Sequence, residues 1–502
     1  MTHCQWSLTM IAGCAISAVV SAAPAYVAVP LGSLGGVSIY GTAINARGQI
    51  AGWADTDAAG AAHRHAFLYS NGTLTNLGAN GGTQSFGYAV NDLGQVVGAS
   101  NGAGFSQLHA VLFSSGATLD LNSALGGSIS NAYAINTRGD IAGGFTSGGA
   151  AHAFRYLASN TSISDLGTFG GTTGQAYGIN VFGEVTGFAH TPSQDAHAFR
   201  YDNRGLTDLG TLGGSSSIGR AISASGHVVG ETYLAGNIGP RAFLQDGTAM
   251  VDIGTLGGTV GRALAVNAAD TIVGESTNAQ GALHAFAYAV GSMIDLNSIT
   301  SGLGGATLTT ASAVNDSGQI VAMSCTATLV CPQAFRLDPI PAPKVTLVEY
   351  RHAGFDHYFM TAIPDEIAKL DNGTFAGWSR TGAAFNAYAA DQVGTSPVCR
   401  FFSTSFAPKS SHFYTPSPSE CAIVQRDPNW QFEARVFNIA VPDANGTCVP
   451  GTQPVYRLYN NGMGAAPNHR YTTSLATRAG MIAQGWIPEG YGPDAVGMCA
   501  PL

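Results

Sequence analysis

Apolar and polar positions along the first two thirds of the chain fall into short β-type bursts separated by turn residues, and the bursts recur. In the stretch from Leu166 to Asp208, Gln175–Ile179 is a short β-type run and Glu184–Phe188 is its return. His197–Tyr201 then alternates in period two, and Leu206–Leu209 forms a fourth short run. Such alternation predicts strands that bury one face. Between the first two runs stands Asn180-Val-Phe-Gly183. Asn can hydrogen-bond its own backbone and Gly can take a positive φ, so this is a four-residue turn.

The same unit occurs seven times, roughly as L-G-x-L-G-G, A-I-N-x-x-G-Q-I-V-G and H-A-F-x-Y. Its turn position falls at Asn45, Asn91, Asn136, Asn180, Ser223, Asn267 and Asn315, a step of about 44 residues. A period of that length with four short strands per unit is the make-up of a propeller blade. The expectation for residues 29–337 is therefore a mainly β domain, a seven-bladed β-propeller. A straight β-solenoid would need caps, and the sequence has none.

The pattern changes at Pro339-Ile-Pro-Ala-Pro343, which makes residues 338–344 a stiff linker. Trp, Tyr, Phe and Arg then rise and Gly falls. Residues 345–502 hold three looser copies of a second unit. The first has Tyr350-Arg351, His357-Tyr-Phe-Met-Thr361 and Trp378. The second has Arg400, His412-Phe-Tyr-Thr415 and Trp430, and the third has Arg457, His469-Arg-Tyr-Thr-Thr473 and Trp486. Pro364-Asp-Glu and Ser417-Pro-Ser-Glu420 carry helix-start chemistry, the latter in the form of a capping box. A pseudo-threefold β-rich, trefoil-like module with short helices is predicted.

Composition narrows the setting. Charged residues make up only 10% of the chain, and the net charge is −9, which argues against nucleic acid or an anionic membrane surface as partner. An apolar run from Leu8 to Val20 ends in Val20-Ser21-Ala22, a small-residue cleavage site, so residues 1–22 read as a secretory signal. Ile11-Ala12-Gly13-Cys14 is a weaker rival in the form of a lipoprotein box. No later segment is long and apolar enough for a membrane span. The six cysteines after residue 324 are an even set in an exported chain and read as three disulfides, with 15 possible pairings. Proximity favours Cys325–Cys331 and Cys399–Cys421, leaving Cys448–Cys499. An extracellular or periplasmic location follows.

The His-Ala-Phe tripeptides at residues 65–67, 152–154, 197–199 and 284–286, with altered copies at 109–111, 241–243 and 333–335, resemble the extracellular HAF repeat of bacteria. That resemblance implies secretion and a repeated β-fold, with no settled activity. The histidines lie on the third strand, away from the axis, and read as packing residues beside Phe and Tyr rather than as a metal ring. The C-terminal copies resemble a secreted bacterial domain of unknown function, which is suspected of binding cell-wall or other glycans. On that resemblance, and because Trp faces and Arg or His donors suit sugars, candidate ligand residues are Arg351, His357, Trp378, Arg400, His412, Trp430, Arg457, His469 and Trp486. The competing reading makes each of them an internal brace.

The sequence lacks H-E-x-x-H. No catalytic residue, metal or cofactor is expected. The reading is a secreted, non-enzymatic binding or surface protein whose partner is a polysaccharide, peptidoglycan or a surface protein. One alternative is a polysaccharide hydrolase or lyase using the propeller channel, with acids such as Asp140, Glu184 and Glu275. A structural or adhesive surface component is the other.

Overall fold

The Asn-x-x-Gly turn sets the local structure of each repeat. In a computed structural model, Asn180 Oδ1 accepts the backbone N–H groups of Phe182 and Glu184, both at 3.0 Å, and Gly183 closes the turn with φ of 82°. The strands Gly174–Ile179 and Val185–His190 leave this turn antiparallel. Ala196–Asp202 and Gly205–Asp208 complete a four-stranded sheet. The structure describes residues 25–502 apart from 58–62, 103–106, 290, 329, 341–342, 391–394, 404, 406, 408, 450 and 464–465. The leader read over residues 1–22 lies outside the described residues.

One compact unit spans Tyr26–Pro339, and the other contains Ile340–Leu502. In the first, the four-stranded pattern recurs in every repeat, and the arrangement is β-propeller-like. The last sheet is composite. Ala25–Pro30 lies between Gln333–Ile340 and Thr300–Ser301, so strands from both ends of the unit share it. The first strand of each sheet packs on the first strand of the next, and Thr310–Val314 of the last packs on Ile39–Ile44 of the first.

The turns repeat that cyclic order in hydrogen bonds. Asn45 Nδ2 donates to Asn91 O, Asn91 to Asn136 O, Asn136 to Asn180 O and Asn180 to Ser223 O. Asn267 donates to Asn315 O, and Asn315 returns to Asn45 O at 2.9 Å. Ser223 has no amide to donate. There His227 Nδ1 lies 2.9 Å from Asp270 Oδ1 of the next turn. Apolar layers fill the space between adjacent sheets, as with Val97, Ala110, Ile141 and Phe154. One layer joins Ile39, Ile50 and Phe67 to Val321 and Met323, so the last sheet packs on the first.

The His-Ala-Phe motif lies on the third strand of each sheet. Its Phe is buried under the second strand, where only glycine fits: a Cβ on Gly143 would sit 2.0 Å from the Asn131 carbonyl oxygen and 2.7 Å from the Phe154 ring. Its His faces the fourth strand, where it meets the Asn76 amide oxygen at His65 and an acid in four later copies. His109, His152, His197 and His284 place Nδ1 within 2.6–2.9 Å of Asp120, Asp165, Asp208 and Asp295. Arg241, standing where His is replaced, keeps the same partner in Asp252 at 3.0 Å.

In the second unit three copies contribute to one ten-stranded sheet. Each has a hairpin, a short helix and a return strand; the helices are Pro364–Asp371, Pro418–Val424 and Leu475–Ala483. Ser417 caps its helix by accepting from Glu420 N. The Glu420 carboxylate does not return to Ser417 N, as a capping box would have it. Thr415 Oγ1 accepts that N–H, and the carboxylate takes Thr415 Oγ1–H at 2.5 Å instead. The three copies share a core that includes Leu347, Tyr350, Tyr414, Phe437, Tyr471 and Met498. Disulfides join Cys325–Cys331, Cys399–Cys421 and Cys448–Cys499.

Candidate functional site

Most of the nine C-terminal candidates are buried or half-buried. Arg400 is 1% exposed; its two terminal nitrogens donate to Glu366 of the preceding copy's helix at 2.9 and 2.8 Å, and its Nε lies 2.8 Å from Glu433. Arg457 repeats this one copy later, with Glu420 at 2.8 and 3.2 Å and Glu489 at 3.0 Å. His412 is wedged between Phe359 and Phe402, with ring centroids at 4.4 and 4.9 Å, and burial holds its pKa well below the usual histidine value. His469 packs on Phe413 and Tyr459, and burial lowers its pKa too. His357 is 2% exposed and bonds the Ser410 carbonyl through Nδ1. Trp486 is buried edge-on to Tyr358, while Trp378 and Trp430 are half-buried against Phe359 and Phe413. Of the nine, Arg351 alone is exposed, and it pairs with Asp356 at 2.8 Å.

The hairpin register also separates Arg351 from the other two arginines. Tyr350 pairs with Phe359 where Arg400 pairs with Tyr414 and Arg457 with Tyr471, so Tyr350 occupies the arginine level in the first copy. The first hairpin loop is shorter, which shifts the alignment by one residue. Of the glutamates that hold the arginines, the sequence marked Glu366 and Glu420 only as helix-start residues, and it did not single out Glu433 and Glu489. The spacing five residues after Thr361 and Thr415 was the available signal for the first two.

A denser cluster of chemistry stands on the first strands of the repeat array. Three residues before the turn Asn, the second, third and fourth sheets carry Tyr88, Tyr133 and Tyr177. Their rings form a ladder with successive centroids 5.2 Å apart. Burial raises all three phenol pKa values, that of Tyr133 to about 12. In the fifth sheet the same position carries Arg220, whose guanidinium lies 5.0 Å from the Tyr177 ring centroid.

From Arg220 a ribbon of ion pairs crosses two sheets. Arg220 pairs with Glu231, Glu231 with Arg262 at 2.7 Å, and Arg262 with Glu275 at 2.7 Å. Thr310 Oγ1 donates to Glu275 at 2.8 Å. Arg220, Glu231, Arg262 and Glu275 line a cavity of about 520 Å³ together with Ser216, Tyr233 and Leu264. Arg220 Nε is buried with no hydrogen-bond partner among the described residues.

Of the three acids considered for a hydrolase, Glu275 belongs to this wall. Asp140 is held by Asn136 and Arg138, and Glu184 by Asn180 and Arg200. Among the described residues, no group of three or more His, Cys, Asp or Glu could hold a metal ion, and no helix is long and apolar enough to cross a membrane.

The chain is similar in structure to TolB from Acinetobacter baumannii, at 12% identity and a TM-score of 0.35, over 50% of this chain and 61% of TolB; it thus spans about three-fifths of that protein. It is similar to the β-propeller domain of the trilobed protease from Pyrococcus furiosus, at 6% identity and a TM-score of 0.40, over 59% of this chain and 92% of that one. A third likeness is to XC5397 from Xanthomonas campestris, described as a gluconolactonase, at 13% identity and a TM-score of 0.33, over 64% and 92%. No curated protein matches the chain in sequence. Residues 349–495 match the family described as Domain of unknown function (DUF5648).

Proposed function

We propose that this is an exported, non-enzymatic binding protein, built as a seven-bladed β-propeller of HAF-type repeats followed by a pseudo-threefold module. Its ligand site is the cavity on the inner wall of the array. The observation that carries this reading is the convergence of Arg220, Glu231, Arg262 and Glu275 on one cavity beside a ladder of three tyrosines. Binding pockets combine a few convergent polar groups with aromatic surface in this way. The module serves as a rigid attachment unit, because its repeated Arg, His and Trp side chains are engaged internally. The three disulfides support export to an oxidising compartment.

The test is a ligand screen by thermal shift on the intact protein. A ligand that raises the melting temperature of the native chain should fail to do so in Leu264→Trp, which fills the cavity. It should still act on Arg351→Ala, on the surface of the module. Loss in Arg351→Ala with retention in Leu264→Trp would move the site to the module. Incubation with the bound polymer should release no new reducing ends; release would establish an enzyme.

A further inference from the structure

We infer that the cavity ligand is a neutral saccharide, and this inference rests on the cavity being the ligand site. The wall is already internally neutralised. Two arginines and two glutamates alternate along it, and each carboxylate is taken up by guanidinium. A uronate or phosphate would have to displace Glu231 or Glu275 from charge-assisted bonds, which are among the strongest a protein makes. An apolar ligand would bury these charges without returning a hydrogen bond, which disfavours it. Sugar hydroxyls donate and accept at once, so a vicinal pair can bridge a guanidinium N–H and a neighbouring carboxylate oxygen without breaking the ribbon.

The aromatic side agrees. Tyr177, Tyr133 and Tyr88 lead away from the cavity through the Arg220–Tyr177 contact. Arg220 stands over the Tyr177 ring and Tyr133 packs against it, so the ladder offers a sugar its ring edges and phenol hydroxyls. The volume of about 520 Å³ lies within the ~300–1,000 Å³ of small-molecule sites. A saccharide end seated at Arg220–Glu275 would therefore place its next ring towards Tyr177.

The experiment is titration calorimetry of the intact protein with cello-, malto- and xylo-oligosaccharides and with oligogalacturonates. At least one neutral series should bind, with affinity little changed between 50 and 500 mM NaCl. Tyr177→Ala and Glu275→Gln should each weaken it about ten-fold or more while the circular dichroism spectrum stays native. Should Tyr177→Ala fail to fold, Leu264→Trp, which leaves ribbon and ladder in place, should abolish binding. Oligogalacturonate binding lost in Leu264→Trp, with no neutral series bound, would overturn the ligand class and leave the site standing. Binding of any series that ignores Leu264→Trp, or no binding at all, would overturn the site as well.

Discussion

Asn180 shows how much one repeated residue does. Its Oδ1 organises its own turn, while its Nδ2 donates both to Ser223 O of the next turn and to Glu184 Oε2 at 2.7 Å. Replacing a buried group of this kind leaves backbone partners unmatched, at about 1–3 kcal/mol. Asn180→Ala should cost that much in urea unfolding. Asn180→Asp should cost more, because it sets a carboxylate against Glu184. Asn91→Asp should be milder, since its neighbour Gln95 can turn its amide to donate. Equal losses at the two sites would contradict this account. The turn itself was legible in the sequence, because Asn and Gly three positions apart make a turn by local chemistry. The link to the next turn was not, since its partner lies some 44 residues away.

The Ser223 position adds a pH dependence. The hydrogen bond to Asp270 raises the His227 pKa, with the Asp246 charge also raising it and burial and Arg200 opposing. A raised folded pKa means that the stability contributed is fully present below the ordinary histidine value. It is lost as pH rises through the raised one. The melting temperature should therefore fall across that interval, and His227→Gln should flatten the fall.

At the scale of elements, the C-terminal copies are bolted together by arginine. Arg400 joins the helix Pro364–Asp371 of the first copy to the strand Gln431–Ala440 of its own. Removing one member of a buried ion pair costs about 3–5 kcal/mol, because the partner charge stays buried. Arg400→Met should lose that much by thermal unfolding, and adding Glu366→Gln with Glu433→Gln should restore part of it. No restoration would mean that Arg400 acts by packing alone. The sequence displayed the repeated Arg, His and Trp but not their direction. Two features decided it: a hairpin register that put Tyr350 rather than Arg351 at the arginine level, and helix glutamates reaching across from the neighbouring copy.

For the whole molecule, the joining of first and last strands is the decisive element. Tyr26 is fully buried in the strand Ala25–Pro30, which covers the edge of Gln333–Ile340. Deleting residues 25–30 removes that burial, about 1.5–3 kcal/mol for the Tyr26 side chain alone, and exposes a strand edge that invites pairing between chains. The truncated protein should melt several degrees lower by calorimetry and associate by light scattering. Unchanged melting would show that this strand does not hold the array together.

By itself the sequence determined the repeating unit, its strands and turns, and the sequence-local disulfide pairings. Each of these depends on residues close together in the chain: alternation, Asn and Gly at a turn, cysteines a short span apart. Only the tertiary structure decided which strand face turns inward. That choice brought Tyr177, Arg220, Glu231, Arg262 and Glu275 from separate repeats to one wall. Their convergence follows from the packing of each whole sheet on the next, a relation that no window of neighbouring residues encodes.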